Sequence, residues 1–450
     1  MVMRSVLLRG PWRASGTVGS LLVAAAISLH AQSRAPASEP FFDALGHPAI
    51  AYDQPHDDDA VARLVRRLDA GEVRLGNQDG SRDASLDLGR GSAFLASVLR
   101  ALQISPTSQV LVYSKTSLQA PLINPVQPRA IYFNDEVAVA SPAGGFIEIA
   151  AQDPTRGFQF YVMQPGGANA RPMQTPRCLV CHHTYATSGV PGLFTRSVVT
   201  SANGTTAPRF GNGTSDHRSP FTDSWAGWYI TGRAEGLTHL GNRFVSARAG
   251  AETADSQTSF ATPVSLADRL HAPHLLTPYS DIVALLVLEH QTHAMNLLTR
   301  LGWEVRVARA DRPERVAAIA AAAAEELVDY LLFVDESPLP GRIAGTSGFT
   351  EDFAARGPRD RRGRSLRQFD LERRIFLYPC SYMIYSRAFA ALPDEARAAV
   401  FQRLWRVLAG DVRGARYERL TLADRQAIVG ILQDTLPGLP DYFDEAKVGR

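Results

Sequence analysis

The chain has 450 residues, of which 45% are hydrophobic and 20% are charged, and its formal net charge is +2. This length and composition suit a globular protein with a large core or two to three folding units. The near-neutral charge excludes function through a strongly charged surface, so we expect neither nucleic acid nor a membrane surface as a partner.

The N-terminal segment 1–31 has the pattern of a secretory signal peptide. Arg4, Arg9 and Arg13 precede an apolar stretch, 18–29, and a small residue, Ala31, follows it. A basic start, a short apolar run and a small residue before the cut are typical of export signals. The apolar run is too short to span a bilayer comfortably. We expect a periplasmic protein that has no stable membrane insertion after signal cleavage.

The mature chain is predicted to be an α+β protein in three parts: an N-terminal α/β segment over 32–125, a haem c-binding region with antiparallel strands over 126–265, and a helical region over 266–450. Apolar residues at helical spacing predict helices over 57–70 and 92–102. Turn residues separate short strand-like runs, which predicts a small antiparallel sheet. These runs are 110–113, 130–133, 137–140, 146–150 and 158–163.

Directly after this predicted sheet, residues 178–182 read Cys-Leu-Val-Cys-His and use two of the three cysteines. CxxCH is the attachment sequence of c-type haem, in which both thiols bond covalently to the ring and the histidine binds iron. The alternatives are a CxxC redox pair, which does not need the histidine, and half of a zinc site, which needs a second ligand pair. We predict one covalent haem c per chain, with Cys178 and Cys181 as attachment residues and His182 as the proximal ligand.

The C-terminal part has helical periodicity in four segments: 281–301, 313–333, 393–408 and 422–436. Between them lies a long Gly- and Arg-rich loop, 337–367, and loops of that length are often functional. Residues 201–222 are rich in Gly, Asn, Ser and Thr and are also predicted to form loops. The third cysteine, Cys380, lies in an apolar run and is predicted to be buried, with a reactive thiol as the alternative.

The sixth iron ligand would separate electron transfer from catalysis. His239 ranks first because its loop is flanked by glycines, which permit close approach to a flat ring. His293 ranks second, on a predicted helix where His290 faces the same direction, and Met295 ranks third. For each histidine, a hydrogen-bonded structural role is the alternative. The full set of candidates is Met173, His217, His239, His271, His274, His290, His293, Met295 and Met383.

Two further clusters have several interpretations. The stretch 216–229 holds His217, two tryptophans and Tyr229, which either wall the haem or fill the core. The six arginines of 356–367 either neutralise haem propionates, bind an anionic substrate, dock an acidic redox partner or form a solvated basic face.

The chain resembles a family of uncharacterised exported bacterial proteins with a c-type cytochrome domain and a single CxxCH. The resemblance covers most of the mature chain and implies a haem c protein without implying a reaction. It rests on residues 133–135, 147–154, 177–182, 216–232, 239–242, 281–291, 363–367 and 378–386.

The motif and the export signal together predict haem binding and electron transfer in the periplasm. The partner would be a redox protein or a small-molecule electron donor or acceptor. The competing hypothesis is a haem c oxidoreductase with an open or displaceable sixth position near His217, His239 and Tyr229. A third is a sensory protein in which haem reports ligand or redox state.

Overall fold

The structure is a computed structural model that describes residues 44–54, 58–76, 90–165, 170–245, 257–259, 261–270 and 272–449. These residues belong to one compact unit, Pro40–Arg450. The predicted α+β class is confirmed, because an antiparallel sheet precedes a mostly helical C-terminal part. The predicted signal peptide lies outside the described residues.

Seven strands form the main sheet, in the order β6-β5-β4-β3-β2-β1-β9, and every neighbouring pair is antiparallel. The three other pairs are β7 with β8, β10 with β13 and β11 with β12. The strands are β1 (Val110–Val112), β2 (Arg129–Phe133), β3 (Val137–Ser141), β4 (Ile147–Asp153), β5 (Gly157–Met163), β6 (Met173–Gln174), β7 (Thr195–Val198), β8 (Asn212–Ser215), β9 (Trp228–Tyr229), β10 (Arg233–Ala234), β11 (Arg243–Val245), β12 (Gln257–Ser259) and β13 (Ile343–Ala344).

The longest helix of the described residues, α4, has 30 residues and is buried along most of its length. Apolar residues occupy all of its sides, which is the pattern of a central core helix. The helices are α1 (Ala60–Asp69), α2 (Arg90–Ala101), α3 (Leu179–His182), α4 (Ile282–Asp311), α5 (Val316–Leu331), α6 (Phe349–Ala355), α7 (Arg387–Ala390), α8 (Asp394–Ala409) and α9 (Leu422–Thr435).

The two faces of the sheet pack against different helices, because successive side chains of a strand point to opposite faces. Residues such as Tyr132 and Ile149 belong to one core with α1 and α2. Their strand neighbours Phe133 and Ala150 belong to a second core with α4 and α5. The motif helix α3 lies on the α4 side, since Cys178 and Leu179 pack against that second core.

Candidate cofactor site

The CxxCH residues lie on a short turn and helix that directly follow the edge strand β6. The hydroxyl of Thr175 accepts a hydrogen bond from the backbone N–H of Arg177 at 3.4 Å, which begins the turn Pro176–Cys178. The helix α3 carries the remainder of the motif and ends at His182. Cys178 is half-buried, Cys181 is exposed, and both thiols are free. Both cysteines are therefore accessible for covalent attachment.

The imidazole of His182 is held in one orientation. Its Nδ1 lies 2.9 Å from the backbone carbonyl of Gly192. A carbonyl oxygen only accepts hydrogen bonds, so Nδ1 carries the proton and Nε2 keeps its lone pair. The ring packs between Phe160 and Phe194, at centroid distances of 5.1 and 5.7 Å, and burial lowers its pKa. A neutral imidazole fixed through Nδ1 is the usual state of a metal-binding histidine.

The helix α4 positions the carbonyl that holds His182. The Asn296 side chain donates to the carbonyl of Leu193 at 2.7 Å and accepts from its N–H at 3.2 Å. A Cβ atom on Gly192 would lie 2.1 Å from Oδ1 of Asn296, so only glycine fits against this side chain. The Gly192 N–H also donates to the carbonyl of His182 at 2.8 Å. Two hydrogen bonds thus join His182 to Gly192, and Gly192 in turn lies against the Asn296 side chain of α4.

Beside the motif, the α4-facing side of the sheet carries a row of half-buried side chains. We call Ile131, Ala140, Glu148 and Val162 the sheet row, because each is the direct cross-strand neighbour of the next. The adjacent row holds Phe133, Ala150 and Phe160, which are buried with α4. The helix therefore covers one part of this face and leaves a largely apolar strip partly accessible.

Glu148 is the charged member of the sheet row. Its carboxylate accepts hydrogen bonds from Arg129 at 2.9 Å, from Ser117 at 2.9 Å and from Gln119 at 3.2 Å. Glu148 acts electrostatically on Cys178 and His182, and Arg129 acts on His182. The Nε atom of Arg129 is buried and has no hydrogen-bond partner among the described residues. The Nε–H of this guanidinium is therefore a buried donor that an anionic group could satisfy.

The environment of Cys178 does not match that of a redox dithiol. Burial raises the pKa of the Cys178 thiol to about 11, and the carboxylate of Glu148 acts in the same direction. CxxC oxidoreductases instead lower the pKa of the attacking cysteine, because the thiolate is the nucleophile. The surroundings of Cys178 thus give no support to the interpretation of the motif as a CxxC redox pair.

The two leading candidates for the sixth ligand already have hydrogen-bond partners. Nε2 of His239 lies 2.8 Å from the hydroxyl of Thr262, and its ring packs on Trp225 at 5.3 Å. Nε2 of His293 lies 3.2 Å from the guanidinium of Arg218, so its lone pair accepts that hydrogen bond. Burial lowers the pKa of both histidines to about 4. The contacts described for His182 involve neither of them.

The remaining residues of the predicted aromatic cluster, His217 and Tyr229, have different surroundings in the structure. His217 is buried, and its Nδ1 lies 2.9 Å from Nδ1 of His290. Nε2 of His290 in turn lies 2.6 Å from the hydroxyl of Ser381. Tyr229 packs on Tyr113 at 4.7 Å, within the core of α1 and α2. It therefore lies on the face of the sheet opposite to Cys178.

Next to this histidine pair, Glu289 is buried and binds two donors, the hydroxyl of Ser215 at 2.5 Å and the indole N–H of Trp225 at 2.9 Å. Burial raises the pKa of Glu289 from 4.5 to about 7, and the charge of Asp216 acts in the same direction. Between pH 4.5 and about 7, Glu289 is therefore protonated in the folded state and ionised in the unfolded state. Since folding then requires proton uptake, stability falls as pH rises through this window.

We expect Glu289→Gln to remove this pH dependence. The amide resembles the protonated carboxyl and does not titrate. As pH rises from 4.5 to 7, the free energy of unfolding of the variant should therefore increase relative to that of the wild type by roughly 3 kcal/mol. Urea unfolding at a series of pH values measures the difference. Glu351→Gln, at an exposed position on α6, is the control. Parallel stability curves for wild type and Glu289→Gln would contradict the expectation.

The predicted loop 337–367 is partly regular and its arginines have partners. It contains β13 and α6. Arg367 pairs with Asp135 and stacks over the rings of Phe353 and Tyr382 at 4.5 and 4.4 Å. The other arginines contact neighbouring carboxylates, carbonyls or a ring: Arg356, Arg359, Arg361, Arg362 and Arg364. Arg361 and Arg362 thus connect the segment to the C-terminal residues Asp434 and Glu445, while the binding roles predicted for the arginines stay predictions.

Other predicted residues have structural surroundings or lie outside the described part. Cys380 is buried, and burial raises the pKa of its thiol to about 12. Nε2 of His274 lies 3.1 Å from the carbonyl of Pro128. His271 lies outside the described residues. Sequence reasoning missed Arg129, Gly192 and Asn296, and no short motif marks any of the three.

No family model, no curated protein and no solved structure matches this chain. Within the described residues, no group of three or more His, Cys, Asp or Glu side chains is arranged to hold a metal ion. In the same part of the chain, no helix combines the length and apolar character needed to cross a membrane.

Proposed function

We propose that this chain is an exported monohaem c-type cytochrome that transfers electrons in the periplasm. The observation that carries the proposal is the orientation of His182 within CxxCH. Its Nδ1–H is directed at the carbonyl of Gly192, which leaves the lone pair of Nε2 for iron. Haem c supplies an iron that exchanges one electron between its ferrous and ferric states, and partners would be redox proteins or small-molecule donors and acceptors.

The surroundings of the motif fit this group. The sheet row offers apolar contacts for a flat ring through Ile131, Ala140 and Val162. The unpartnered Nε of Arg129 suits a carboxylate such as a propionate. Val180, between the two cysteines, has 80% of its surface exposed. An apolar side chain left in water beside the motif is consistent with a site that a cofactor completes.

The attachment step is an addition without a leaving group. Cys178 and Cys181 would hold the group covalently. Each thiol would add across one vinyl double bond, with a carbon–sulfur bond in place of the S–H bond and the proton on the terminal vinyl carbon. The reaction is redox-neutral for sulfur. The raised pKa keeps the Cys178 thiol protonated, so this residue would supply both the sulfur and the proton of the addition.

Covalent attachment is tested by expression of the full chain with its signal segment in a bacterial host that matures c-type cytochromes. A haem stain after denaturing electrophoresis should detect haem in the wild type. The Cys178→Ala, Cys181→Ala double variant should lose all of the stain, since neither thioether can form.

Cys380→Ala is the matched control, because Cys380 is buried in the helical part and lies outside the motif. It should keep the stain of the wild type. A wild type without covalent haem, or a double variant that retains it, would overturn the proposal.

The haem enzyme remains the second candidate function, and the placement of Tyr229 and His217 counts against its predicted open site. Tyr229 lies on the opposite face of the sheet, and His217 is enclosed by His290, Tyr330 and Phe333. Absorption spectra of the purified protein separate the two functions. Low-spin spectra in both oxidation states that carbon monoxide and cyanide leave unchanged support the carrier, and a high-spin, ligand-binding spectrum supports the enzyme.

A further inference from the structure

We infer that Met173 supplies the sixth ligand to the iron, an inference that rests on the proposed haem c. Met173 lies on the edge strand β6, directly opposite Val162 of β5. Directly opposed residues of antiparallel strands share one face of the sheet. Met173 therefore extends the sheet row at its edge, on the same face as Cys178 and Phe160.

Among the methionines of the described residues, Met173 differs from the others in its exposure. Met163, Met295 and Met383 are 0%, 2% and 1% exposed and fill the core. Met173 is 58% exposed although it lies in a strand beside an apolar strip. Its thioether is thus free to move without loss of core packing. A methionine in the core could reach a metal only if the surrounding side chains rearranged.

The chain brings Met173 close to the proximal ligand. The N–H of Thr175, two residues after Met173, donates to the carbonyl of Phe160 at 2.8 Å. The ring of Phe160 packs on His182 at 5.1 Å. Residues two apart on a strand are about 7 Å apart, so Met173 lies one step along the sheet from the residue that contacts His182. The flexible methionine side chain can turn toward His182 along this step.

The two leading histidines compare unfavourably with Met173 because both rings are held in buried surroundings, whereas Met173 is exposed. His293 would lose its hydrogen bond from Arg218. The Nδ1 of His239 is buried without a hydrogen-bond partner among the described residues, but a ring that moved toward the motif would lose its packing on Trp225. Leaving a buried donor without a partner costs about 1–3 kcal/mol. The thioether of Met173 has no such bond to break. A methionine opposite the histidine also gives the six-coordinate iron of an electron carrier and raises its potential.

The test compares the haem-loaded wild type with Met173→Leu, which preserves the apolar character at an exposed site. The variant should keep its covalent haem. It should lose the near-infrared charge-transfer band of a methionine–iron(III) bond and gain stoichiometric carbon monoxide binding in the ferrous state. Met173→His should remain low-spin and should not bind carbon monoxide, but it should lack the band and have a lower potential.

Met295→Leu is the matched control, since it removes a core thioether with little change in volume. This variant should keep the near-infrared charge-transfer band and should not bind carbon monoxide in the ferrous state. If the wild type carries covalent haem and Met173→Leu changes neither the band nor carbon monoxide binding, the ligand assignment is wrong and the proposed function stands. If the wild type carries no covalent haem, both are wrong.

Discussion

Replacement of Asp281 by alanine is expected to destabilise the protein by about 4 kcal/mol. Asp281 is fully buried and caps α4, accepting the backbone N–H groups of Val283 and Ala284 at 2.9 and 3.2 Å. Its other carboxylate oxygen accepts the N–H groups of Thr346 and Ser347 at 2.8 and 2.9 Å. Alanine would leave four backbone donors without this acceptor, and the cost combines a lost cap with unsatisfied buried groups.

Urea unfolding of the two variants Asp281→Ala and Thr421→Ala checks this expectation. Thr421 caps α9 through a single exposed hydroxyl, and its loss should cost about 1 kcal/mol. Asp281→Asn should fall between wild type and alanine, because the amide retains one oxygen but directs an NH₂ group at two donors. Equal costs for Asp281→Ala and Thr421→Ala would contradict the role of Asp281 as a junction between α4 and the segment around β13.

The sequence predicted the elements whose patterns are local. The runs at 130–133, 137–140 and 158–163 became β2, β3 and β5 with nearly the predicted bounds. The helices predicted at 313–333, 393–408 and 422–436 are observed as α5, α8 and α9. Here the periodicity of apolar residues agrees with the burial that the tertiary structure imposes, so local reasoning was sufficient.

Elements that depend on distant contacts were predicted less well. The helix predicted over 281–301 continues to Asp311, past Gly302, because Trp303 packs on Tyr52 and donates to the carbonyl of Thr155. The predicted loop 201–222 contains β8, which begins with Asn212 and Gly213, two residue types of low strand propensity. Pairing with β7 stabilises this strand, and such pairing leaves no trace in the local sequence.

The same difference between local patterns and distant contacts applies to the candidate site. The residues proposed for covalent attachment and proximal ligation are contiguous in the chain, so the motif alone was sufficient to predict them. Gly192 and Asn296 could not, because they meet His182 only after α4 has packed against the segment that follows α3. The position of Met173 depends on the register between β5 and β6, which a two-residue strand does not reveal. The spacing of the motif predicts the cofactor, whereas the proposed second ligand depends on the tertiary structure.

The helix α4 connects stability to the site. Asp281 fixes its first turn, and Asn296 fixes the backbone beside His182. A change at Gly192 should therefore affect both the stability of the protein and the orientation of His182, the proposed iron ligand. This coupling leads to the second large effect that we expect.

Gly192→Ala is expected to destabilise the protein without haem by about 2–3 kcal/mol, the cost of overpacking a well-ordered contact. The new Cβ atom would meet Oδ1 of Asn296 at 2.1 Å and Cβ of Thr187 at 3.1 Å. Relief of this clash would shift the Gly192 carbonyl away from Nδ1 of His182. A weaker Nδ1–H hydrogen bond makes the imidazole a poorer donor to iron, so the reduction potential of the haem-loaded variant should rise.

Urea unfolding and redox titration measure the two effects, with Gly213→Ala as control, since a Cβ atom on Gly213 would meet nothing within 4 Å. The double variant Gly192→Ala, Asn296→Ala isolates the cause. Alanine at 296 removes the amide that collides with the new methyl group, so the double variant should be more stable than the sum of the single costs predicts. Additive costs would show that the clash with Asn296 is not what makes glycine necessary beside the proximal histidine.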